Sequence, residues 1–409
     1  MSDVQGANGT AVRRHAGAVA TFVERAGRTL LPHAVVGSLT IIFPNGKRAF
    51  LGTPNAQPHA VLQLNNYRVI RNSIKRASIG FAESYVAGDV ECPDLVSLIR
   101  FFILNRAKLL ANPKVRAMFK VRAGDKLWHA TRRNSPARSK QNIEAHYDLG
   151  NDFYATWLDD GMTYSSGLFS QESPTLPAAQ DAKYKAVIDA LNVEAGGRIL
   201  EIGCGWGGFA EYATEHTPAH VTGITLSQEQ LAYSRERVDG RKARFELCDY
   251  RHTEGQYDAI ASIEMIEAVG EEHWHDFFLI VRERLKPGAS AAVQAITIAE
   301  EQFSTYRRKV DFIQRYIFPG GMLPTKTILA EQAAQAGLET ETAATFGKSY
   351  AHTLKLWRER FDENWENIEK LGFDARFRRM WRYYLAYCEA GFEERVLDVG
   401  IYRFTRPQE

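Results

Sequence analysis

Leu200-Glu201-Ile202-Gly203-Cys204-Gly205-Trp206-Gly207-Gly208 is the stretch that decides the fold. It closes an apolar strand, Arg198 to Ile202, and opens a helix that begins at Gly208. The glycines let the backbone turn sharply at the carboxyl end of the strand and come close to a ligand. Working outward, His220 to Leu226 reads as a strand and Ser227 to Val238 as a helix. Ala243 to Cys248 and Ala259 to Ile263 are further strands. Trp274 to Leu285 is amphipathic, Lys286-Pro-Gly288 ends it, and Ser290 to Ile298 is the next strand. This alternation predicts an α/β fold, a doubly wound Rossmann-like parallel sheet with helices on both faces.

Taken alone, Gly203, Gly205 and Gly208 match the weak G-x-G-x-x-G pattern of a dinucleotide site. Two features separate the loop from such a site. Glu201 stands two residues before the first glycine, where an acid suits the ammonium of S-adenosylmethionine. The end of the second strand, Gly223-Ile-Thr-Leu-Ser227, has no carboxylate to grip an NAD ribose. A methyl-donor site is therefore expected.

The rest of the chain sets bounds. No apolar run is long enough to span a bilayer, and the first 20 residues have no apolar core of a signal peptide. Cys92, Cys204, Cys248 and Cys388 are scattered, which fits a reducing cytosol and neither a disulfide framework nor a metal cluster. His273 and His275, two residues apart on a helix, do not share a face, so no metal site is expected. Residues 1–150 hold 22 Lys and Arg against 9 Asp and Glu, and the remainder holds 29 against 40. The densest basic run, Arg106 to Lys140, has Asp125 as its only acid. A front of this kind faces either nucleic acid or an anionic membrane surface, unless it is simply a solvated linker.

The expected domains are a disordered segment 1–20, a small α+β domain 21–110, a basic linker 111–141 and a catalytic domain 142–409. In the small domain Gly37 to Phe43 and Arg48 to Leu51 form a hairpin about Pro44-Asn-Gly46. Ala60 to Ile70 is a strand candidate, and Asp94 caps a helix from Leu95 to Leu110.

Several blocks occur in order: His146-Tyr-Asp-Leu-Gly-Asn-Asp-Phe-Tyr154, Met162-Thr-Tyr-Ser-Ser-Gly-Leu-Phe169, Leu200 to Phe209 and Thr225-Leu-Ser-Gln-Glu-Gln230. Ser262-Ile-Glu-Met-Ile-Glu-Ala-Val-Gly270, Tyr316-Ile-Phe-Pro-Gly-Gly-Met-Leu-Pro324 and Phe346-Gly-Lys-Ser-Tyr-Ala-His-Thr353 follow. The chain thereby resembles the cyclopropane-fatty-acyl-phospholipid synthase and mycolic acid cyclopropane synthase family, closely from Asn142 onward. The small domain resembles the family's lipid-binding module more loosely, through Gly80-Phe-Ala-Glu-Ser-Tyr-Val-Ala-Gly88.

The resemblance implies a methyltransferase fold with a donor pocket at Tyr164, Ser165, Glu201, Gly203, Cys204, Gly205, Trp206, Gly207, Thr225, Leu226, Ser227, Gln230, Asp249 and Tyr250. Gln230 takes the place of the usual acid at the ribose, and Asp249 serves the adenine edge. It further implies transfer of a carbon from S-adenosylmethionine to the cis double bond of an unsaturated phospholipid acyl chain. A carbocation forms, a bound bicarbonate removes a proton from the added methyl, and a cyclopropane closes.

Aromatic rings near the motifs (Tyr147, Phe153, Tyr154, Tyr164, Phe169, Tyr316, Tyr350) are the expected cation stabilisers. Glu267 and Tyr350 are the expected bicarbonate anchors, with Glu264, where familiar synthases carry glycine, as the competing acid. Ser166 replaces a cysteine and would act through its backbone amide. Cys388 matches a cysteine of relatives, although a buried small hydrophobe is its blander reading. The histidine that helps hold bicarbonate falls on Ile296, and Thr297 is the candidate substitute. A methyl- or methylene-branched product is the alternative to the ring.

The competing functions are a nucleic-acid methyltransferase, a carrier that keeps a vestigial fold, and a small-molecule methyltransferase. The strand before Glu264 lacks a nucleic-acid enzyme's Asn/Asp-Pro-Pro signature, and the glycine loop is intact. The expected setting is cytoplasmic and peripherally membrane-associated, with no nucleic-acid partner and with a homodimer as the family's habit.

Overall fold

The computed structural model describes residues 35–111, 113, 116, 149–238 and 242–408. The 1–20 segment and nearly all of the 111–141 linker lie outside the described residues, as does Tyr147. The chain divides into two compact units, Met1–Val121 with Phe373–Glu394, and Arg122–Gly372 with Arg395–Glu409.

In the first unit β1 (Ser38–Ile42) pairs antiparallel with β2 (Arg48–Gly52) and parallel with β3 (His59–Leu64). A short β4 (Val90–Glu91) completes a four-stranded sheet of order β2-β1-β3-β4. The strand expected over Ala60 to Ile70 stops at Leu64, because Asn65-Asn66 turns the chain. Val69 and Ile70 belong to helix α1 (Arg68–Val86), which Ala77 interrupts at φ 49°. Asp94 caps α2 (Leu95–Leu104) by accepting from the Ser97 amide at 2.9 Å. That helix ends at Asn105, whose side chain is spent on the Val36 and Phe101 carbonyls.

The long helix Ala375–Glu393 packs against α1 and α2. Arg379 on it donates to the carbonyls of Tyr85 at 2.6 Å and Val90 at 2.5 Å and to the Glu91 carboxylate. A segment read from sequence as part of the catalytic domain is therefore part of the first unit, where its apolar stripe is buried.

The second unit holds a seven-stranded sheet of order β10-β11-β9-β8-β5-β6-β7. Helix α3 (Leu176–Leu191) precedes β5 (Arg198–Ile202), followed by α4 (Gly208–His216), β6 (His220–Thr225) and α5 (Gln228–Arg237). Then come β7 (Ala243–Leu247), β8 (Tyr257–Ile263), α6 (Trp274–Arg284) and β9 (Leu285–Ile298). β10 (Glu339–Thr345), α7 (Gly347–Glu363) and β11 (Leu397–Thr405) close the unit.

β7, β6, β5, β8 and β9 run parallel, as expected. β11 runs antiparallel to both β9 and β10, so the sheet is mixed rather than purely parallel. The chain winds from β5 to β6 and β7 on one side and resumes at β8 on the other. β5 is thus the topological switch point, and its carboxyl end opens the crevice where such sheets take ligands. Apolar side chains of β5, β8, β9 and α6, among them Leu200, Ile260, Val293, Phe277 and Phe278, are fully buried beneath it.

Candidate active site

The glycine loop leaves β5 and is tied to its neighbour, since the Gly203 and Cys204 amides both donate to the Ile224 carbonyl at 3.0 and 2.9 Å. Gly203 has φ 82°, and a Cβ there would stand 3.0 Å from the Met265 side chain. Gly223 on β6 is equally closed, because a Cβ would lie 2.7 Å from the Phe245 ring and 2.9 Å from Cys204. Trp206 is buried and donates through Nε1 to Asn151 at 2.7 Å.

Glu201, next to last on β5, is 3% exposed, and its Oε2 has no hydrogen-bond partner. Burial pushes its carboxyl up to about 8, against the partial opposition of Lys183 and Arg237. A buried acceptor without a donor at the mouth of a glycine loop is the complement of a ligand ammonium.

β6 leads into a polar relay. The Ser227 amide donates to Thr225 Oγ1 at 3.1 Å, and Thr225 Oγ1 donates to Gln230 Oε1 at 2.8 Å. Ser227 caps α5 by accepting from the Gln230 amide. With Thr225 donating to the Gln230 oxygen, the Gln230 Nε2 donors are left for a ligand. Leu226 beside them is half-buried. Asp249, expected at the adenine edge, is held by its neighbour. Arg251 takes both of its oxygens, at 2.8 and 2.6 Å. Burial raises that carboxyl, but the Arg251 contacts outweigh it and hold Asp249 below the usual carboxylate range. Tyr250 turns its ring into the core against Phe277.

Ser165 and Ser166 form the opposite wall. Lys183 is fully buried on α3 and donates to Ser165 Oγ at 2.8 Å, while Gln180 donates to the Ser165 carbonyl at 2.9 Å. Burial pushes Lys183 down to about 8, with Glu264, Asp159 and Glu201 opposing. Sequence reading missed both residues. The signal was present, since Gln180 and Lys183 fall on the same i, i+3, i+4 face as Leu176, Ala179, Tyr184 and Val187.

The acidic pair after β8 departs most from expectation. Tyr350 donates to Glu264 Oε2 at 2.6 Å, not to Glu267. Glu264 Oε1 also accepts from the Ser166 amide at 2.9 Å and from Gln294 Nε2 at 2.7 Å. Ser166 thus spends its backbone amide on Glu264 and its hydroxyl on the Gly167 carbonyl. Glu264 has φ 51°, a left-handed conformation that costs a side-chain-bearing residue about 1–2 kcal/mol. That turn aims its carboxylate back at Ser166 and Gln294.

Glu267, one short 3-10 turn later, accepts from the Ile296 amide at 2.5 Å, and its Oε2 is buried without a partner. Burial, then the charge of Glu264, push Glu267 up to about 8. Burial raises the Glu264 carboxyl as well, opposed by the hydrogen bonds from Tyr350, Ser166 and Gln294 and by the charge of Lys183, whereas Glu267 has the Ile296 amide as its donor and keeps its proton at neutral pH. Gln294, not Ile296, is the polar side chain that β9 supplies here, two residues earlier on the same face. Thr297, one residue on from Ile296, alternates to the other face of the strand, so it is no substitute donor.

A chain of rings joins these groups. Tyr154 lies 5.1 Å from Trp206 and 5.4 Å from Tyr164, centroid to centroid. Tyr164 meets Trp157 and Trp357 at 5.4 Å each, and Trp357 meets Tyr350 at 6.1 Å. Phe153 packs on Tyr154 and Trp157. Of the other expected aromatics, Phe169 packs on His352 and Tyr316 is 37% exposed beside Arg315. The tryptophans Trp157 and Trp357 went unread because they lie outside the quoted motifs. Cys388 lies half-buried on the helix Ala375–Glu393 of the first unit, not in the core.

Comparison with known proteins gives a consistent picture. The family described as mycolic acid cyclopropane synthetase matches residues 134–401. Tuberculostearic acid methyltransferase UfaA1 of Mycobacterium tuberculosis is 38% identical over 344 residues, covering 80% of this chain and 78% of its own. Cyclopropane-fatty-acyl-phospholipid synthase of Escherichia coli is 33% identical over 357 residues, covering 86% and 89%. Among solved structures, mycolic acid cyclopropane synthase CmaA1 complexed with SAH and CTAB has a TM-score of 0.61 at 29% identity, covering 65% of this chain and 98% of that one.

Proposed function

Because the chain belongs to the mycolic acid cyclopropane synthetase family, we propose that it is an S-adenosylmethionine-dependent C-methyltransferase acting on the cis double bond of unsaturated phospholipid acyl chains. The observation that carries this reading is the buried, unpartnered Oε2 of Glu201 beside the glycine loop. S-adenosylmethionine fits there: Glu201 takes its ammonium, Gln230 offers donors to the ribose, and the loop accommodates close backbone approach. Bound, the donor supplies an electrophilic methyl.

The chain's own residues supply the rest. An alkene is a weak nucleophile, so water must be excluded, and the rings of Tyr154, Trp157, Tyr164 and Trp357 do that. Their faces also favour the positive charge that develops on the acyl chain, by roughly 0.5–2 kcal/mol each. Bicarbonate, implied by resemblance as the base, does not fit these residues. The three donors that would hold it, Ser166, Gln294 and Tyr350, are already committed to Glu264.

The product follows from which proton leaves. A methylene-branched chain is the first reading, supported by likeness to a tuberculostearic acid methyltransferase. A cyclopropane is the second, supported by the E. coli relative. Vesicles of dioleoyl lipid should drive S-adenosylhomocysteine release and dipalmitoyl vesicles should not; equal release from both would remove the alkene from the reaction.

Surface docking belongs to the same proposal. The basic excess of residues 1–150 suits an anionic bilayer, and Val36, Phe50, Ile74 and Phe102 of the first unit are exposed. No described helix is long and apolar enough to cross a membrane. Replacing several arginines of the 111–141 segment with glutamine should weaken binding to anionic vesicles in a salt-dependent way, read by co-sedimentation.

Donor affinity should also depend on pH. The free Glu201 carboxyl is protonated below about 8, and pairing with an ammonium requires the carboxylate. Binding therefore releases a proton, and affinity should rise by up to about tenfold per pH unit from 6 towards 8, then level off. Titration calorimetry in buffers of different ionisation enthalpy would register the released proton.

A further inference from the structure

Resting on the function proposed above, we infer that Lys183 is a positioning residue of the donor site, whose buried ammonium turns the Ser165 hydroxyl towards the carboxylate of S-adenosylmethionine. Lys183 lies on α3 with none of its surface exposed, whereas Ser165, which it contacts, is 6% exposed. Nζ donates to Ser165 Oγ at 2.8 Å. An ammonium can only donate, so the serine oxygen is the acceptor of that bond and its own proton is left to be given elsewhere. Among the described residues nothing accepts that proton. Gln180, one turn earlier on the same face, donates to the Ser165 carbonyl at 2.9 Å. Backbone and side chain of this serine are thus both fixed from α3.

A charge on the buried face of a helix is itself informative, because leucine would fill the space without desolvating an ammonium. Burial pushes Lys183 down to about 8, which leaves it charged at neutral pH. Glu264 opposes the shift most, then Asp159 and Glu201, and the Tyr184 ring lies 4.0 Å from Nζ. The other cation that Glu201 feels is Arg237, which is engaged by Glu211 at 2.8 Å and by the Gly161 carbonyl at 2.7 Å.

The amino-acid end of the donor is a zwitterion and needs both signs of partner. Glu201 answers the ammonium. Lys183 and Ser165 answer the carboxylate, since a hydroxyl that accepts from an ammonium is polarised into a stronger donor. The lysine acts through the serine and does not touch the ligand.

The test measures binding of S-adenosylmethionine and of decarboxylated S-adenosylmethionine by calorimetry at pH 7. It compares wild type, Lys183→Met, Lys183→Gln, Ser165→Ala and the Lys183→Met/Ser165→Ala double variant. Both ligands carry the ammonium and the sulfonium, and only the first carries the carboxylate. Wild type should prefer the carboxylate-bearing ligand by more than about tenfold, the scale of one charge-assisted hydrogen bond. Met keeps the length of the stem and Gln keeps some polarity, so one of the two neutral variants should fold. Either should cut the preference about tenfold. Ser165→Ala should cut it by the same factor, and the double variant should lose no more than a single one.

A lysine that only supports the wall would weaken both ligands alike and leave the preference at its wild-type value. That result, or losses that add in the double variant, would overturn the assignment while leaving the function reading in place. A wild type that binds neither ligand would overturn the function reading and this inference with it.

Discussion

Replacing Glu201 with glutamine should weaken S-adenosylmethionine binding by roughly 100-fold or more, with the fold left intact. The reasoning turns on the state of the free carboxyl. Burial pushes it up to about 8, so at neutral pH the unliganded protein holds a neutral acid there. Glutamine matches that acid in shape and charge, and the unliganded protein should be no less stable for the change. Binding is different, because the ammonium of the donor needs the carboxylate in a site where Oε2 has no other partner. Removing one partner of a buried charge pair costs about 2–5 kcal/mol. Calorimetry should show the loss, and the rise of affinity with pH should vanish with it. Retained affinity with a retained pH slope would place the ammonium elsewhere.

Trp357→Ala should be the most destabilising of the site substitutions, by about 3–5 kcal/mol. Trp357 is fully buried and touches Trp157, Tyr164 and Tyr350, so the cavity would open in the middle of the ring chain. Two effects should separate on measurement. The unfolding midpoint of the second unit should fall, and the protein that remains folded should lose turnover, because Tyr350 loses the ring that fixes it beneath Glu264. Trp357→Phe keeps an aromatic face and should recover most of the turnover with part of the stability. An alanine variant with unchanged denaturant midpoint would mean the cluster relaxes to fill the gap.

How much of this was legible in the sequence varies by element, for physical reasons. The core of the sheet was readable because β5, β6 and β8 are buried on both faces and carry short apolar runs ended by glycine or polar turns. β10 escaped because Glu339–Thr345 is an edge strand with mostly exposed side chains and no apolar alternation. The donor loop was readable from Glu201 and its glycines, since both local turn chemistry and a lone buried acid leave marks in one short stretch. The acidic pair was not readable to the last detail. Glu264 and Glu267 lie three residues apart, and which of them meets Tyr350 depends on one left-handed residue and on α7, some 80 positions along the chain. Gln294 was hidden for a similar reason: a strand's face is fixed by its register against β8 and β11, and Ile296 shares that face. The helix Ala375–Glu393 shows that chain order does not decide which unit an element joins.

The central claim, that a carbon passes from S-adenosylmethionine to an acyl double bond and a proton then leaves, is tested most directly with a deuteriomethyl donor. The purified protein would be incubated with this donor and dioleoyl phospholipid vesicles, and the fatty acids analysed by mass spectrometry and NMR. The account predicts an acyl chain that gains one carbon, retains two of the three deuterium atoms and shows signals of a methylene branch. Cyclopropane signals with the same deuterium count would keep the claim and reverse the order of the two product readings. Label confined to the headgroup, or absent from the lipid altogether, would contradict it.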